Sequence, residues 1–292
     1  MGFNWYPAKV LDVIKHQLVE PRPDSPAHGK RVLFVAQSGS RTWGFDDPHS
    51  DYDVKFVYAE PVSHYLTIAD NPGHDTLDWQ VNKWETSDLP SFHFHGWDLR
   101  KVLQLAHHGS HAAIELCRLP RFYTTDREFL LTNALIKLIE ESWWPQGVFH
   151  GLLGVAESNW RKYLLDDSDR PPYIRRKKYL YVLHALLSAS WMVQNRDKYP
   201  PFNIDELLSA LNDESAARMW PDERRRVDEL LEEKRRGVLF DGPRFEWFEA
   251  YYERTVKDLR SRPGYGDHRN RDRKPFDQFY AQFITAAVSP QC

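Results

Sequence analysis

The stretch from Arg31 to Tyr58, RVLFVAQSGSRTWGFDDPHSDYDVKFVY, restricts the fold of this chain more than any other. Arg31–Ala36 is a short apolar run rich in β-branched residues, and it predicts a buried strand. The run breaks at Gln37-Ser38-Gly39-Ser40. The following RTWGF predicts a turn with a short helix, and Asp51–Tyr58 alternates as a second strand does. On that strand Asp51 and Asp53 stand at i and i+2, so both carboxylates leave the same face.

The rest of the chain divides by its period. Residues 8–19 carry Val10, Val13, Ile14 and Leu18 at helical spacing after Pro7, Ser91–His95 is compatible with a third strand, and Asp98–His108 reads as helical. Beyond about residue 125 the pattern turns helical throughout: 126–141, 148–165, 174–195, 203–213, 220–236, 244–261 and 274–288, punctuated by prolines. The expected architecture is an α/β N-terminal domain over 1–125, a small mixed sheet with helices on one side, followed by an all-α helical domain over 126–292. The boundary falls between 118 and 128, and an active site is expected in the cleft between the domains.

Composition narrows the class. Hydrophobic residues make up 41% and aromatic residues 14%, with 11 Trp, enough for a packed core. A net charge of -3 excludes a strongly basic nucleic-acid coat but leaves room for a local basic groove. Cys117 and Cys292 are the two cysteines, which excludes a disulfide framework or a cysteine-based zinc site. No stretch approaches the ~18 apolar residues of a membrane span, and charges interrupt the apolar pattern of the N-terminus, so the expectation is a soluble, cytoplasmic protein without a membrane partner.

Paired carboxylates repel one another unless a cation lies between them, and an oxygen-rich pair of this kind suits Mg²⁺. A Gly-Ser turn exposes backbone N–H groups able to cradle a phosphate. Together Gly39-Ser40 and Asp51-x-Asp53 supply the minimum for phosphoryl or nucleotidyl transfer, although each alone is usually a plain turn or a solvated strand end. His93 and His95 at strand spacing, with His107, His108 and His111 following, lack the spacing of a zinc site and read as a polar strand and a helix end.

The segment GSRTWGF with HSDYDVKFVY resembles the nucleotidyltransferase superfamily related to DNA polymerase β. GWDLRKVLQLAHHGSHAAIEL (96–116) and KKYLYVLHALLSASWM (177–192) resemble a bacterial and phage family of nucleotidyltransferases proposed to act in RNA repair. The resemblance spans most of 31–210. It implies that Gly39 and Ser40 hold a nucleoside triphosphate with help from Arg41, that Asp51 and Asp53 bind Mg²⁺ or Mn²⁺, and that Lys177, Lys178 and Tyr181 meet the triphosphate and base. It further implies transfer of a nucleoside monophosphate to a hydroxyl, with RNA as a partner. The alternatives are a protein hydroxyl as acceptor, or a non-catalytic nucleotide or RNA sensor. The superfamily supplies a third carboxylate from a later strand, expected three residues before Gly96, and His93 stands there. Three explanations stay open: His93 as an alternative ligand or base, substitution by Asp98 or Asp88, or an impaired site. Asp98 also reads as a helix cap. Lys55 is either on the metal face or solvated, Glu115 is a structural helix residue, and Trp43 and Phe45 are core or wall. Residues 221–236 read as a surface helix laced with i,i+4 pairs, and 260–275 as a basic arm or linker.

Overall fold

The computed structural model describes residues 6–66, 68, 75–82, 84, 88–124, 129–165, 175–196, 198–238, 241–262 and 272–288. The basic stretch expected to act as an arm lies largely outside them, at 263–271. In chain order the elements are α1 (Ala8–Ile14), β1 (Arg31–Ser38), α2 (Ser40–Trp43), β2 (Tyr52–Ala59), α3 (Val62–Tyr65), β3 (Thr76–Val81), β4 (Phe92–Asp98), α4 (Leu99–His107), α5 (His111–Arg118), β5 (Arg121–Thr124), α6 (Phe129–Glu141), α7 (Pro145–Asn159), α8 (Lys177–Gln194), α9 (Ile204–Ser209), α10 (Pro221–Arg235), α11 (Glu246–Ser261) and α12 (Lys274–Val288). Single π turns extend α1 over Lys15–Val19 and α7 over Trp160–Leu164. Among the described residues no helix is long and apolar enough to cross a membrane.

The chain forms two compact units. The first comprises Met1–Gly39, Asp51–Trp143 and Arg269–Cys292, the second Ser40–Ser50 and Trp144–His268. Neither is one continuous stretch: α6 and α12 belong with the sheet, and the segment between β1 and β2 belongs with the helices.

In the first unit the strands run β3-β4-β2-β1-β5. β2 and β4 are parallel and the other neighbours antiparallel, so the sheet is mixed, as expected. β2 alternates strictly over Tyr52–Phe56, and β4 over its whole length, between buried and half-buried positions. The buried set, with Tyr52, Val54, Phe56, Tyr58, Phe92 and Phe94, packs against Val10, Val13, Ile14 and Leu18 of α1 and its extension. Trp79 of β3 stacks on Phe94 and donates to Gln17 Oε1 at 3.0 Å. On the other face, Lys55 of β2 meets Glu115 of α5 at 2.9 Å, and Thr132 of α6 donates to the Leu33 carbonyl at 3.1 Å. Helices therefore line both faces of the sheet rather than one, with α1 on the buried alternate set and α5 and α6 on the other face.

Sequence periodicity misses β3 and β5. β3 is an edge strand with half-exposed side chains, TLDWQV, and carries no apolar run. β5 has only four residues and is fixed by pairing with β1.

The second unit is built on α8. Its residues from Tyr179 to Ser190, apart from Tyr181, are buried around the full circumference, which is the pattern of a central helix rather than an amphipathic one. α7 and α11 pack beside it: Trp160 stacks on Tyr252 at 4.1 Å between centroids, and the Tyr179 hydroxyl accepts from the Phe245 N–H at 3.0 Å. On α10, Arg224–Asp228 and Arg225–Glu229 form the expected i,i+4 pairs, which solvent screens at these exposed sites.

Gly96 of β4 gives a direct test of this packing, since a Cβ there would fall within the Phe56 ring. Gly96→Ala should destabilise the protein by about 1–3 kcal/mol through overpacking, measurable as a lower urea midpoint. An unchanged midpoint would show that the β2–β4 face is loosely packed.

Candidate active site

The site begins where β1 ends. Gly39 has φ of +73°, a conformation that residues with a side chain rarely adopt. Across the β1–β2 pair, Ser38 is the partner of Asp53. The turn passes so close to Asp53 that a Cβ on Gly39 would overlap its carboxylate. The backbone of the Gly-Ser turn and one of the paired acids are thus held in contact by the sheet register. Ser40, the first residue of α2, is buried.

Asp51 precedes β2 and is half-exposed. Its Oδ1 accepts a short hydrogen bond from the Ser91 hydroxyl, and the Ser91 carbonyl accepts from the Tyr52 N–H at 2.9 Å. Ser91 thereby ties the mouth of β2 to the start of β4. Tyr52 points the other way and stacks on Phe92, ring centroids 4.9 Å apart. Asp53 and His93 are partners across the parallel β2–β4 pair. The His93 Nε2 lies 3.8 Å from Asp51 Oδ2, beyond hydrogen-bond reach, and this buried nitrogen has no hydrogen-bond partner. Asp51, Asp53 and His93 therefore gather at one end of two adjacent strands.

The donor set fits a divalent cation. Asp51 and Asp53 leave the same strand end as paired carboxylates, and the Nε2 of His93 faces Asp51 across 3.8 Å without a hydrogen bond. Among the described residues no group of three or more His, Cys, Asp or Glu side chains is placed to hold a metal ion, so the protein would contribute the carboxylate pair alone. An incomplete protein shell is what Mg²⁺ accepts when substrate phosphates and water supply its remaining ligands.

Other candidates have different tasks. Lys55 is paired with Glu115, 2.9 Å away, so Glu115 is structural and Lys55 is anchored to α5. Asp98 caps α4 through the Arg100 N–H at 2.8 Å and accepts from the Tyr65 hydroxyl at 2.5 Å. Burial pushes its carboxyl above the usual range, against the lowering effect of those two hydrogen bonds. It lies five residues beyond His93 along β4 and caps α4, while Asp88 is exposed. The histidines do not converge: His95 pairs with Asp78 at 2.8 Å, and His108 Nδ1 meets the Gln104 carbonyl at 2.6 Å. Burial pushes the His111 ring below the usual range, with Glu115 opposing and Lys55 reinforcing that shift.

The second unit holds the remaining predicted residues. The Lys178 ammonium sits 4.0 Å from the centre of the Tyr163 ring and 4.7 Å from that of Tyr181. Burial, then the charges of Lys177 and Arg175, push its pKa down, while Tyr163 opposes. Lys177 is half-buried at the start of α8. Tyr181 meets Trp43 edge-on at 5.4 Å, and Trp43 stacks on His184 at 4.9 Å. Phe45 is fully buried, so the two aromatics after the Gly-Ser turn are wall and core. Arg41 donates to Asp46 at 3.2 Å and to the Ser50 carbonyl at 2.6 Å, bracing its own loop.

Sequence reasoning missed Ser91, Tyr163, Lys234 and Arg235. Lys234 is buried and donates to Asp47 and to the Ser50 hydroxyl. Burial pushes the Asp47 carboxyl up, but the Lys234 hydrogen bond, the His49 N–H, the Lys234 charge and Ser50 outweigh it and hold it below the usual range. Each of these residues is recognisable only by a partner distant in sequence. The one local signal, basic residues in the last turn of α10, has an ordinary explanation in the helix dipole.

The chain is 28% identical over 221 residues, 74% of either chain, to the uncharacterized protein YcgL of Bacillus subtilis (strain 168). Residues 13–282 match the family described as RlaP, the RNA repair pathway DNA polymerase beta family. That match takes in the Gly-Ser turn, the paired acids, His93 and the start of α8, and the chain belongs to this family of polymerase β-like nucleotidyltransferases of RNA repair.

Proposed function

We propose that the protein transfers a nucleoside monophosphate from a nucleoside triphosphate to a hydroxyl group, with an RNA 3′ hydroxyl as acceptor. The observation that carries this reading is the contact of the Gly39 turn with Asp53, with Asp51 and His93 at the same strand ends. The acceptor oxygen bonds to the α-phosphorus, the α–β bridging P–O bond breaks, and pyrophosphate leaves. A divalent cation, Mg²⁺ or Mn²⁺, held by Asp51 and Asp53 supplies neutralisation of phosphate charge.

The chain's own groups do the positioning. The N–H groups of the Gly39-Ser40 turn receive phosphate oxygens, and Gly39 is required because any side chain would displace Asp53. Ser91 fixes the rotamer of Asp51. The unpartnered Nε2 of His93 accepts the proton of the attacking hydroxyl as a general base. Lys178, between Tyr163 and Tyr181, supplies a desolvated positive charge for the triphosphate, with Lys177 beside it, and Tyr181 offers its ring to the base. Arg41 acts through the loop it braces. The non-catalytic reading draws on the same His93 substitution; it predicts nucleotide and metal binding without turnover.

The decisive experiment incubates the protein with each labelled nucleoside triphosphate, Mg²⁺ or Mn²⁺, and either a pool of small RNAs or protein acceptors. Label on RNA 3′ ends with pyrophosphate release is expected; label on protein, or none, removes the RNA assignment. Asp51→Asn and Asp53→Asn should each abolish transfer with the thermal midpoint kept, and normal activity in either would remove the metal assignment. Lys178→Ala should weaken nucleoside triphosphate binding about tenfold, the loss expected for one charge-assisted contact; unchanged calorimetric affinity would refute its role. His93→Asp, which restores the acid expected at that position, should preserve or raise Mg²⁺-dependent transfer. A folded but inactive variant would show that the imidazole has chemistry of its own.

A further inference from the structure

The Ser40–Ser50 segment begins with the phosphate-turn serine and ends immediately before Asp51. It packs wholly with the helical unit. Its fold depends on groups from α9 and the last turn of α10. Lys234 donates to Asp47 and, at 2.9 Å, to the Ser50 hydroxyl, while Asp47 also accepts from the His49 N–H at 2.7 Å. Arg235 donates twice to the Gly44 carbonyl, at 2.9 and 2.6 Å, and is itself held by Asp205 at 2.7 Å. Gly44 turns with φ of +78° against Asn203, whose amide nitrogen would lie 2.7 Å from any Cβ. Two adjacent cations thus grip the middle and the far end of an eleven-residue loop. A side chain as well buried as Lys234, exposed by only 8%, loses much hydration, and its bonds to Asp47 and Ser50 replace it.

We propose that Lys234 and Arg235 are positioning residues for nucleotidyl transfer: by clamping Asp47, Ser50 and Gly44 they fix the path of the loop and so the placement of Ser40 at one end and Asp51 at the other. The proposal rests on the transfer reading above. The contacts of Lys234 and Arg235 are with the loop and with Asp205. Lys234 bonds to the loop at two points, Asp47 and Ser50, and Ser50 immediately precedes Asp51. Small displacements of such groups cost rate steeply, about a hundredfold for roughly 1 Å.

The test uses the full chain and the variants Lys234→Met, Lys234→Arg and Arg235→Gln. Transfer kinetics, amide hydrogen exchange over residues 40–51 and Mn²⁺ affinity by electron paramagnetic resonance are measured for each. Lys234→Met should lower kcat by about tenfold to a hundredfold, speed exchange in 40–51 while leaving α8 protected, and weaken Mn²⁺ binding. Lys234→Arg should recover most of the loss. Wild-type kcat in Lys234→Met, or a fall in kcat without faster exchange in the loop, overturns the proposal. If Lys234→Met does not fold, Arg235→Gln decides by the same readouts. If the wild-type protein transfers nothing, the transfer reading fails, and the clamp is judged by Mn²⁺ affinity: weaker binding in Lys234→Met upholds it, and equal binding overturns it.

Discussion

Gly39 turns with a positive φ directly against the carboxylate of Asp53, and the remainder of the site is arranged around that contact. The close approach exists because β1 and β2 are antiparallel with Ser38 opposite Asp53. A one-residue slip of the pair would turn Asp53 to the α1 face and Tyr52 to the site face, destroying both core and chemistry. The Gly39 turn and the Asp53 carboxylate are thus brought together by the register that also buries Tyr52, Val54 and Phe56. Selection for a packed sheet and selection for the site act here on the same hydrogen bonds.

His93 changes the balance of charge at this site. A third carboxylate would add negative charge to an already acidic strand end and would be a natural Mg²⁺ ligand. An imidazole is neutral when deprotonated, a poorer ligand for hard cations, and better matched to Mn²⁺ or Zn²⁺. Its Nε2 lacks a hydrogen bond although the atom is buried, a cost of about 1–3 kcal/mol in a finished interior. An unsatisfied group of this kind beside Asp51 is expected where a ligand completes the structure.

The helical unit uses charge differently. Most ion pairs on α10 are solvated and contribute little. Lys234 and Arg235, one turn further on, are buried or half-buried, and their acceptors lie in a loop almost two hundred positions away in the chain. Lys178 is a third case, desolvated between two tyrosine rings with further cations beside it. The same residue types therefore have three different energetic roles, set by the depth and the partner rather than by composition.

The sequence determined the mixed α/β character, the helices beyond residue 125 that the structure describes, the common face of Asp51 and Asp53, and the turn at Gly39. These are local properties: alternation, 3.6-residue spacing, and the backbone freedom of glycine. It also marked Asp98 as a cap, because a cap needs only its own helix. The strands β3 and β5 were not legible, since an edge strand with polar alternation and a four-residue strand owe their form to their neighbours. The contact of Asp51 with Ser91, the orphaned nitrogen of His93, the aromatic bed of Lys178 and the grip of Lys234 on Asp47 were decided by tertiary structure alone. In each case the partners are brought together by sheet register or helix packing, and no spacing along the chain encodes which charge meets which acceptor.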